Sequence, residues 1–177
     1  MMFIQKKYFE HREKYLKAFP KIKAYFEGSK ARFLSLKIIS KYMTWGMYGA
    51  YALLLVLCFM KFSVIGAVEC IILPFAVFLV TTVVRDKINA PRPYELSQMS
   101  PVFPKSTKGH SCPSRHTACA FAVALAWCSF DLPVGIVLLI CASLIGASRS
   151  LVGVHFPLDV LFGAIIALAV NTVQLFI

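Results

Sequence analysis

Residues 43–60 read MTWGMYGAYALLLVLCFM, 18 consecutive positions without a charged side chain. After Lys61, the 23 residues 62–84 read FSVIGAVECIILPFAVFLVTTVV and contain one acidic side chain. A helix that crosses the hydrocarbon core of a bilayer needs about 20 predominantly apolar residues. Each of the two runs therefore predicts a transmembrane helix, and Lys61 marks a short turn between them.

Three more apolar runs follow a polar, proline-rich loop at residues 85–115. They span residues 117–130, 134–147 and 158–177, and Asp131-Leu132-Pro133 predicts a turn between the first two. A helix of about 14 residues is only about 21 Å long, so we expect these two helices to extend into their polar ends. Because lipid admits only helices and closed barrels, the expected fold is an all-α polytopic membrane bundle with about five spanning helices.

The composition also favours a membrane protein. Of the 177 residues, 59% are hydrophobic and 15% are charged, whereas soluble domains are roughly 45–50% apolar and about 25% charged. A soluble domain is therefore disfavoured, and a disordered chain or a fibrous repeat is excluded. Five of the six cysteines lie inside apolar runs, where a thiol behaves as a small hydrophobic group, so a disulfide framework is not expected.

The first 42 residues differ from the rest, because they hold eleven of the 19 basic and three of the eight acidic side chains. Aromatic, apolar or histidine side chains recur there at steps of three or four, which places them on one face of a helix. These positions are Ile4, Tyr8, His11, Tyr15, Phe19, Ile22 and Phe26. We expect a basic amphipathic helix at the headgroup surface, kinked or divided at Pro20, in a segment 1–42 that precedes a transmembrane domain 43–177. A loosely folded basic tail is the alternative.

Five spans place residues 1–42, the 85–115 loop and the 148–156 connection on one face of the membrane. That face carries 18 of the 19 basic side chains. Since basic loops tend to stay in the cytoplasm, we expect a cytoplasmic N-terminus and prefer the same side for the polar loops. Nucleic-acid binding is not expected, because no basic surface can form on helices that face lipid.

Three polar clusters lie at the ends of apolar helices on this face. They run from Arg85 to Pro93, from Cys112 to His116 and from Ser148 to Asp159. Ionisable side chains beside a membrane core are rarely retained without a function. The clusters are therefore candidates for a functional site.

The residue types in the clusters favour the binding of an oxyanion. Arg85, Arg92 and Arg149 each offer a planar fork of donors that suits phosphate oxygens. Ser114 lies just before a predicted helix, whose N-terminal N–H groups could hold an anion together with the serine hydroxyl.

Two histidines and one carboxylate in the same clusters suit acid–base and nucleophilic chemistry. His155 can act as a nucleophile or a base, and Asp159, four residues later, can reach its imidazole and fix its tautomer. His116 is then free to act as a general acid on a leaving group.

Taken together, the clusters resemble the signature of the type 2 phosphatidic acid phosphatase (PAP2) superfamily. That signature is Lys-x6-Arg-Pro, then Pro-Ser-Gly-His, then Ser-Arg-x5-His-x3-Asp. The matching stretches are Arg85-x6-Arg92-Pro93, Pro113-Ser114-Arg115-His116 and Ser148-Arg149-x5-His155-x3-Asp159, in the same order and at the same spacings.

The resemblance implies a metal-independent phosphatase of the bacterial membrane branch. It implies that His155 attacks phosphorus to form a phosphohistidine, that Asp159 orients His155, and that His116 protonates the leaving group. It also implies that the phosphoryl oxygens are bound by Arg85, Arg92, Ser114 and Arg149.

The chain departs from the family pattern at two positions. Arg85 stands where lysine is usual; it keeps the charge but is larger and forked. Arg115 replaces the glycine before His116, and we count it among the phosphate-binding candidates. Its side chain could hold a second phosphate, which favours a diphosphate or an anionic headgroup as substrate.

The expected function is the hydrolysis of a lipid phosphate in the bacterial plasma membrane, without a cofactor or a metal ion. Polyprenyl diphosphate, phosphatidylglycerophosphate and phosphatidic acid are the candidate substrates, and membrane lipids are the expected partners. Two alternatives remain: a phosphotransferase that uses the same phosphohistidine, and a catalytically silent protein that binds lipid headgroups. Bacterial relatives commonly place the site on the outer face, which is the alternative to a cytoplasmic site.

Overall fold

The computed structural model describes residues 2–61, 64–97 and 99–172, and these residues form helices joined by loops. The helices are α1 (Met2–Glu27), α2 (Lys30–Lys37), a π-helical turn (Ile38–Tyr42), α3 (Met43–Lys61), α4 (Val64–Ile88), α5 (Pro93–Ser97), α6 (Arg115–Phe130), α7 (Leu132–Leu151) and α8 (Pro157–Asn171). The predicted turn after Lys61 falls on residues 62–63, and the predicted end of the last span on residues 173–177. Both lie outside the described residues.

The N-terminal helix α1 is continuous through Pro20, so Pro20 does not divide it, and a kink there stays a prediction. The face predicted to be apolar packs against the protein, with Tyr15 and Phe19 buried, although His11 on the same face is exposed. Arg12, which the periodicity did not place on this face, is only 7% exposed.

No break separates residues 1–42 from the first apolar run. The helix that begins at Lys30 continues through the π-helical turn at Ile38–Tyr42 into α3. Such turns insert one extra residue into a helix and often lie at functional sites. Here the turn leads the chain from the polar end of the molecule into the apolar bundle.

Helix α6 lies at the centre of the bundle and packs against α3, α4, α7 and α8. Its buried face is built from small residues, including Ala118, Ala122 and Ala124. Small side chains let helix backbones approach closely in a membrane bundle. One close approach is at Gly163 of α8, where an added Cβ would lie 2.6 Å from the backbone oxygen of Ser114.

Helix α7 shows how the short apolar runs lengthen into spanning helices. Asp131 caps its N-terminus by accepting a hydrogen bond from the N–H of Val134 at 3.0 Å. The helix then runs to Leu151, so that Arg149 lies in its last turn. The structure thereby extends this helix into its polar end, as the 14-residue apolar run at 134–147 predicted.

The outward faces of the helices are apolar. Large side chains such as Phe59, Phe75 and Ile140 are exposed, which a soluble monomer rarely tolerates over a wide area. Two helical stretches of the described chain, Lys30–Met60 and Leu132–Leu151, are long and apolar enough to cross a membrane, and Pro157–Asn171 is a shorter apolar helix. The all-α membrane bundle is thus confirmed, while the count of five spans stays a prediction.

Candidate active site

The three polar clusters meet at one end of the bundle. Arg85 lies in the last turn of α4 and His116 in the first turn of α6, while His155 lies in the loop between α7 and α8. Together they line a cleft of about 400 Å³, with Arg92, Arg115 and other polar residues. The structure therefore brings five of the eight predicted site residues to one cavity: Arg85, Arg92, Arg115, His116 and His155.

His155 is 2% exposed and is held by a backbone group. Its Nδ1 lies 2.6 Å from the carbonyl oxygen of Ser111 and 3.9 Å from Oδ2 of Asp159. A carbonyl oxygen only accepts hydrogen bonds, so Nδ1 carries the proton and donates it. The lone pair then resides on Nε2, the nitrogen required for nucleophilic attack. The tautomer is thus fixed by Ser111, and not by the direct bond from Asp159 that the spacing predicted.

The carboxylate of Asp159 organises the groups around His155. Oδ2 accepts a hydrogen bond from Oγ of Ser111 at 2.6 Å and another from the N–H of Phe156 at 2.9 Å. Oδ1 accepts a longer hydrogen bond from the hydroxyl of Tyr8 at 3.4 Å. The carboxylate therefore fixes both the residue that holds Nδ1 and the start of the helix that follows the histidine.

Burial sets the protonation state of His155. Desolvation lowers its pKa below the usual value, and this outweighs the opposite effect of the negative charge of Asp159. The charged form of a buried imidazole is disfavoured because it loses its hydration. At neutral pH the imidazole is therefore neutral, which is the form that can attack.

Arg92 is positioned for an anion by the loop that follows α4. Its Nε donates to the carbonyl oxygen of Gly109 at 2.9 Å, and its backbone N–H donates to Oε1 of Glu95 at 3.0 Å. Gly109 adopts a φ of +62°, and the same Glu95 oxygen accepts its N–H at 2.8 Å. Among the described residues, Nη1 of Arg92 is buried without a hydrogen-bond partner. A buried donor without a partner is costly, so this atom is available to an oxyanion in the cleft.

The structure places Ser114 behind the cleft rather than in its lining. The residue is fully buried, and its hydroxyl accepts a hydrogen bond from Oγ1 of Thr117 at 3.0 Å. Its backbone N–H donates to the carbonyl oxygen of Asp159 at 2.9 Å. In this arrangement Ser114 ties the start of α6 to the start of α8.

Arg149 also lies outside the cleft. Its Nη2 donates at 2.8 Å to the carbonyl oxygen of Ser40 and at 2.8 Å to Oγ1 of Thr44. These partners lie in the π-helical turn and at the start of α3. The guanidinium therefore lines a neighbouring cavity of about 440 Å³, which shares His116 and Lys105 with the cleft.

Lys105 belongs to the polar loop between α5 and α6, and it lines both cavities. Desolvation and then the charges of Arg92, Arg149, Arg85 and Arg115 lower its pKa. The positive charge of Lys105 is repelled by those of the nearby arginines, and a bound anion would offset this repulsion. The sequence signal was weak, since an isolated lysine in a polar loop is usually solvated.

Helix α1 covers the outer side of the catalytic loop. Arg12 donates from Nη2 to the carbonyl oxygen of Pro91 at 3.0 Å, and its guanidinium carbon lies 4.4 Å from the ring centroid of Phe156. Phe19 fills the space beside Gly153, where an added Cβ would lie 2.2 Å from Cζ of Phe19. The amphipathic face of α1 thus packs on the residues that carry His155.

The site that emerges is a basic, histidine-containing anion cleft at one end of an all-helical membrane bundle. The family model of the PAP2 superfamily matches residues 64–175. The chain therefore belongs to the PAP2 superfamily.

The solved structures that are similar to the chain include two membrane phosphatases. The crystal structure of LpxE from Aquifex aeolicus has a TM-score of 0.60 and 25% sequence identity, covering 82% of this chain and 94% of that chain. The transmembrane PAP2-type phosphatidylglycerolphosphate phosphatase from Bacillus subtilis has a TM-score of 0.54 and 22% identity, covering 94% of this chain and 96% of that chain. The second likeness shows the fold alone. No match was found among curated protein sequences.

Proposed function

We propose that the chain is a membrane-embedded lipid phosphate phosphatase that works through a phosphohistidine and without a metal ion. The observation that carries the proposal is the state of His155. Its Nδ1 proton is engaged by the carbonyl oxygen of Ser111, and its ring lines the same cleft as Arg85 and Arg92. A neutral, oriented nucleophile facing a cluster of guanidiniums is the arrangement that phosphoryl transfer requires.

In the first step, the lone pair on Nε2 of His155 attacks phosphorus, and the bond from phosphorus to the leaving oxygen breaks. Negative charge on the phosphoryl oxygens is stabilised by Arg85 and Arg92. Burial and the charges of Arg149 and Lys105 lower the pKa of His116 to about 3, so His116 is neutral in the empty cleft. It takes up a proton together with the anionic phosphate, which offsets those charges, and gives that proton to the leaving oxygen. Asp159 lies 3.9 Å from Nδ1, where its negative charge stabilises the imidazolium that forms.

In the second step, water attacks the phosphohistidine. His116, now neutral, takes a proton from that water, and the P–N bond breaks to return its electron pair to His155. Inorganic phosphate leaves, and both histidines regain their starting protonation states. Dividing one displacement into two lowers the barrier of each.

A third, apolar cavity of about 300 Å³ supports a lipid as the substrate. Its lining includes Met47, Phe78, Val123 and Ile145, and it shares His116 with the cleft. Ligand cavities that are mostly apolar with a few convergent polar groups bind amphiphilic molecules well. Polyprenyl diphosphate, phosphatidylglycerophosphate and phosphatidic acid all combine such an apolar chain with a terminal phosphate.

The cellular placement that we propose follows from the charge of the N-terminal segment. The 11 basic side chains of residues 1–42 favour a cytoplasmic N-terminus in the bacterial plasma membrane, with the cleft on the same side. Compartment reporters fused after residue 42 and after Ile177 test this placement. Opposite compartments for the two fusions agree with five spans, and the same compartment contradicts them.

Phosphate release from the detergent-solubilised full chain tests the activity. We expect release from lipid phosphates with a chelator present, and loss of release in His155→Ala. A product formed only when an alcohol acceptor is added would instead indicate a phosphotransferase. Lipid-phosphate binding without any release would indicate a silent headgroup-binding protein. Loss of activity on chelation would contradict the metal-free mechanism.

A further inference from the structure

The cavity next to the cleft is strongly basic. Four cationic side chains line it: Lys37, Lys41, Lys105 and Arg149. Among the described residues that line this basic chamber, none is acidic. Like charges gathered without a counter-charge repel one another. Their collection around one cavity therefore points to a bound anion.

One side of the chamber is built from the helix that precedes the family-matched region. Lys37, Ser40, Lys41 and Thr44 come from the end of α2, the π-helical turn and the start of α3, whereas the family match begins at residue 64. The N-terminal helices thus supply two of the four cations of the chamber, Lys37 and Lys41, and the family-matched region supplies Lys105 and Arg149. The reaction chemistry proposed above makes no use of it.

Arg149 is oriented into this chamber by those same helices. Its Nη2 is fixed by the Ser40 carbonyl oxygen and Oγ1 of Thr44, both at 2.8 Å. Its Nε is buried without a hydrogen-bond partner among the described residues. The guanidinium thus keeps an unsatisfied donor, as Nη1 of Arg92 does in the cleft.

His116 lies where the cavities meet. It lines the cleft, the basic chamber and the apolar cavity. The chamber and the apolar cavity also share Thr44 and Tyr48. A substrate can therefore place its terminal phosphate in the cleft, a second anionic group in the chamber and its chain in the apolar cavity.

We propose that the basic chamber binds a second phosphate group of the substrate, next to the phosphate that is cleaved. This inference rests on the proposed phosphatase function. In a lipid diphosphate, the bridging oxygen would lie beside His116, which protonates it as the P–O bond breaks and lipid monophosphate leaves. In phosphatidylglycerophosphate, the phosphodiester would occupy the chamber instead.

The test compares substrates that carry two phosphates with partners that carry one. Farnesyl diphosphate is paired with farnesyl monophosphate, and phosphatidylglycerophosphate with phosphatidic acid, using the solubilised full chain. Because a hydrogen bond to a charged group contributes about 1.5–3 kcal/mol, we expect Lys37→Gln/Lys41→Gln to lower kcat/KM at least about ten-fold for one bisphosphorylated substrate. The value of kcat/KM for its monophosphate partner should change less than about three-fold. Whichever pair shows the difference identifies the source of the second phosphate.

A control variant, Lys14→Gln/Lys17→Gln, removes the same charge from exposed positions of α1. For each substrate pair, this variant should leave unchanged the ratio of kcat/KM for the bisphosphorylated substrate to kcat/KM for the monophosphate. That result would exclude a general effect of net charge. Equal losses for both members of each pair, or no loss at all, would overturn the inference while the phosphatase function stands. Absence of release from all four substrates by the unmodified chain would instead overturn the proposed function, and the inference with it.

Discussion

The backbone oxygen of Ser111 lies 2.6 Å from Nδ1 of His155, while the carboxylate of Asp159 lies 3.9 Å from the same nitrogen. The side chain of Ser111 in turn donates to that carboxylate at 2.6 Å. Residue 111 therefore mediates between the acid and the imidazole. The carboxylate of Asp159 therefore affects the ring in two ways. Its negative charge acts on the imidazole at a distance, and its hydrogen bond with Ser111 positions the residue whose backbone oxygen binds Nδ1.

Ser111→Ala should lower kcat without abolishing it. The variant keeps the backbone oxygen that orients His155 but loses the hydroxyl that positions Asp159. Removal of a group that orients a ligand or nucleophile typically costs about 10–100-fold, and we expect the lower end of that range, with KM nearly unchanged. Ser143→Ala on the exposed face of α7 is the matched control. A variant as inactive as His155→Ala would contradict this role.

The acid limb of kcat/KM should lie below pH 6.5. The nucleophile must be neutral, and burial lowers the pKa of His155 from its usual value, so activity should fall only when the pH drops through this lowered pKa. A pH–rate profile of the free enzyme measures it. In Asp159→Asn the limb should move to lower pH, because the carboxylate raises the pKa of His155. A limb above pH 6.5 would contradict the assignment.

The same pKa shift affects folding. The unfolded chain binds a proton at His155 more tightly than the folded chain does, so acid favours unfolding. Stability in detergent should decline as the pH falls below about 6.5, the ordinary histidine value, towards the lowered pKa. His155→Gln should show less of this decline.

Arg92→Lys should reduce kcat/KM by about 100-fold, the usual effect of losing one donor to transition-state charge. A lysine keeps the charge but cannot both contact the Gly109 oxygen and present a second donor to the substrate. Arg32→Lys, at a half-buried position on α2 where the guanidinium lies over the ring of Tyr25, provides the control for an arginine-to-lysine change. A less than three-fold effect at position 92 would show that the buried Nη1 does not contact the phosphate.

Gly153→Ala should destabilise the protein and lower its activity. The residue has a φ of +86°, and the new methyl group would overlap the ring of Phe19. Overpacking of this kind costs about 1–3 kcal/mol, which thermal inactivation in detergent can measure. The double variant with Phe19→Ala should recover part of the loss, since it relieves the overlap but not the backbone strain. No recovery would show that α1 does not press on this loop.

Much of the site was predictable because its side chains follow fixed spacings along helix ends. The separations of Arg85 from Arg92 and of His155 from Asp159 locate the cleft, and the long apolar runs locate the bundle. These signals are local in the sequence, so they can be recognised without knowing how the helices pack.

The remaining features depend on contacts between distant segments. The acceptor at Ser111 is a backbone oxygen, which leaves no mark in a sequence. Arg149 is directed away from the cleft by Ser40 and Thr44, more than 100 positions earlier. Arg12 is a basic residue buried over an aromatic ring, and its hydropathy gives no sign of that position.

The close contact of α8 with α6 at Gly163 sets the distance between His116 and His155, the two histidines of the proposed mechanism. Helix α6 begins beside His116, and α8 begins just after His155, so the gap between acid and nucleophile is fixed by how tightly these two helices are joined. At this contact the side chain of Gly163 is a single hydrogen atom, which lets the two helices approach closely. In the mechanism that we propose, a residue with no functional group of its own thereby holds the two histidines at the separation that proton transfer and attack on phosphorus both need.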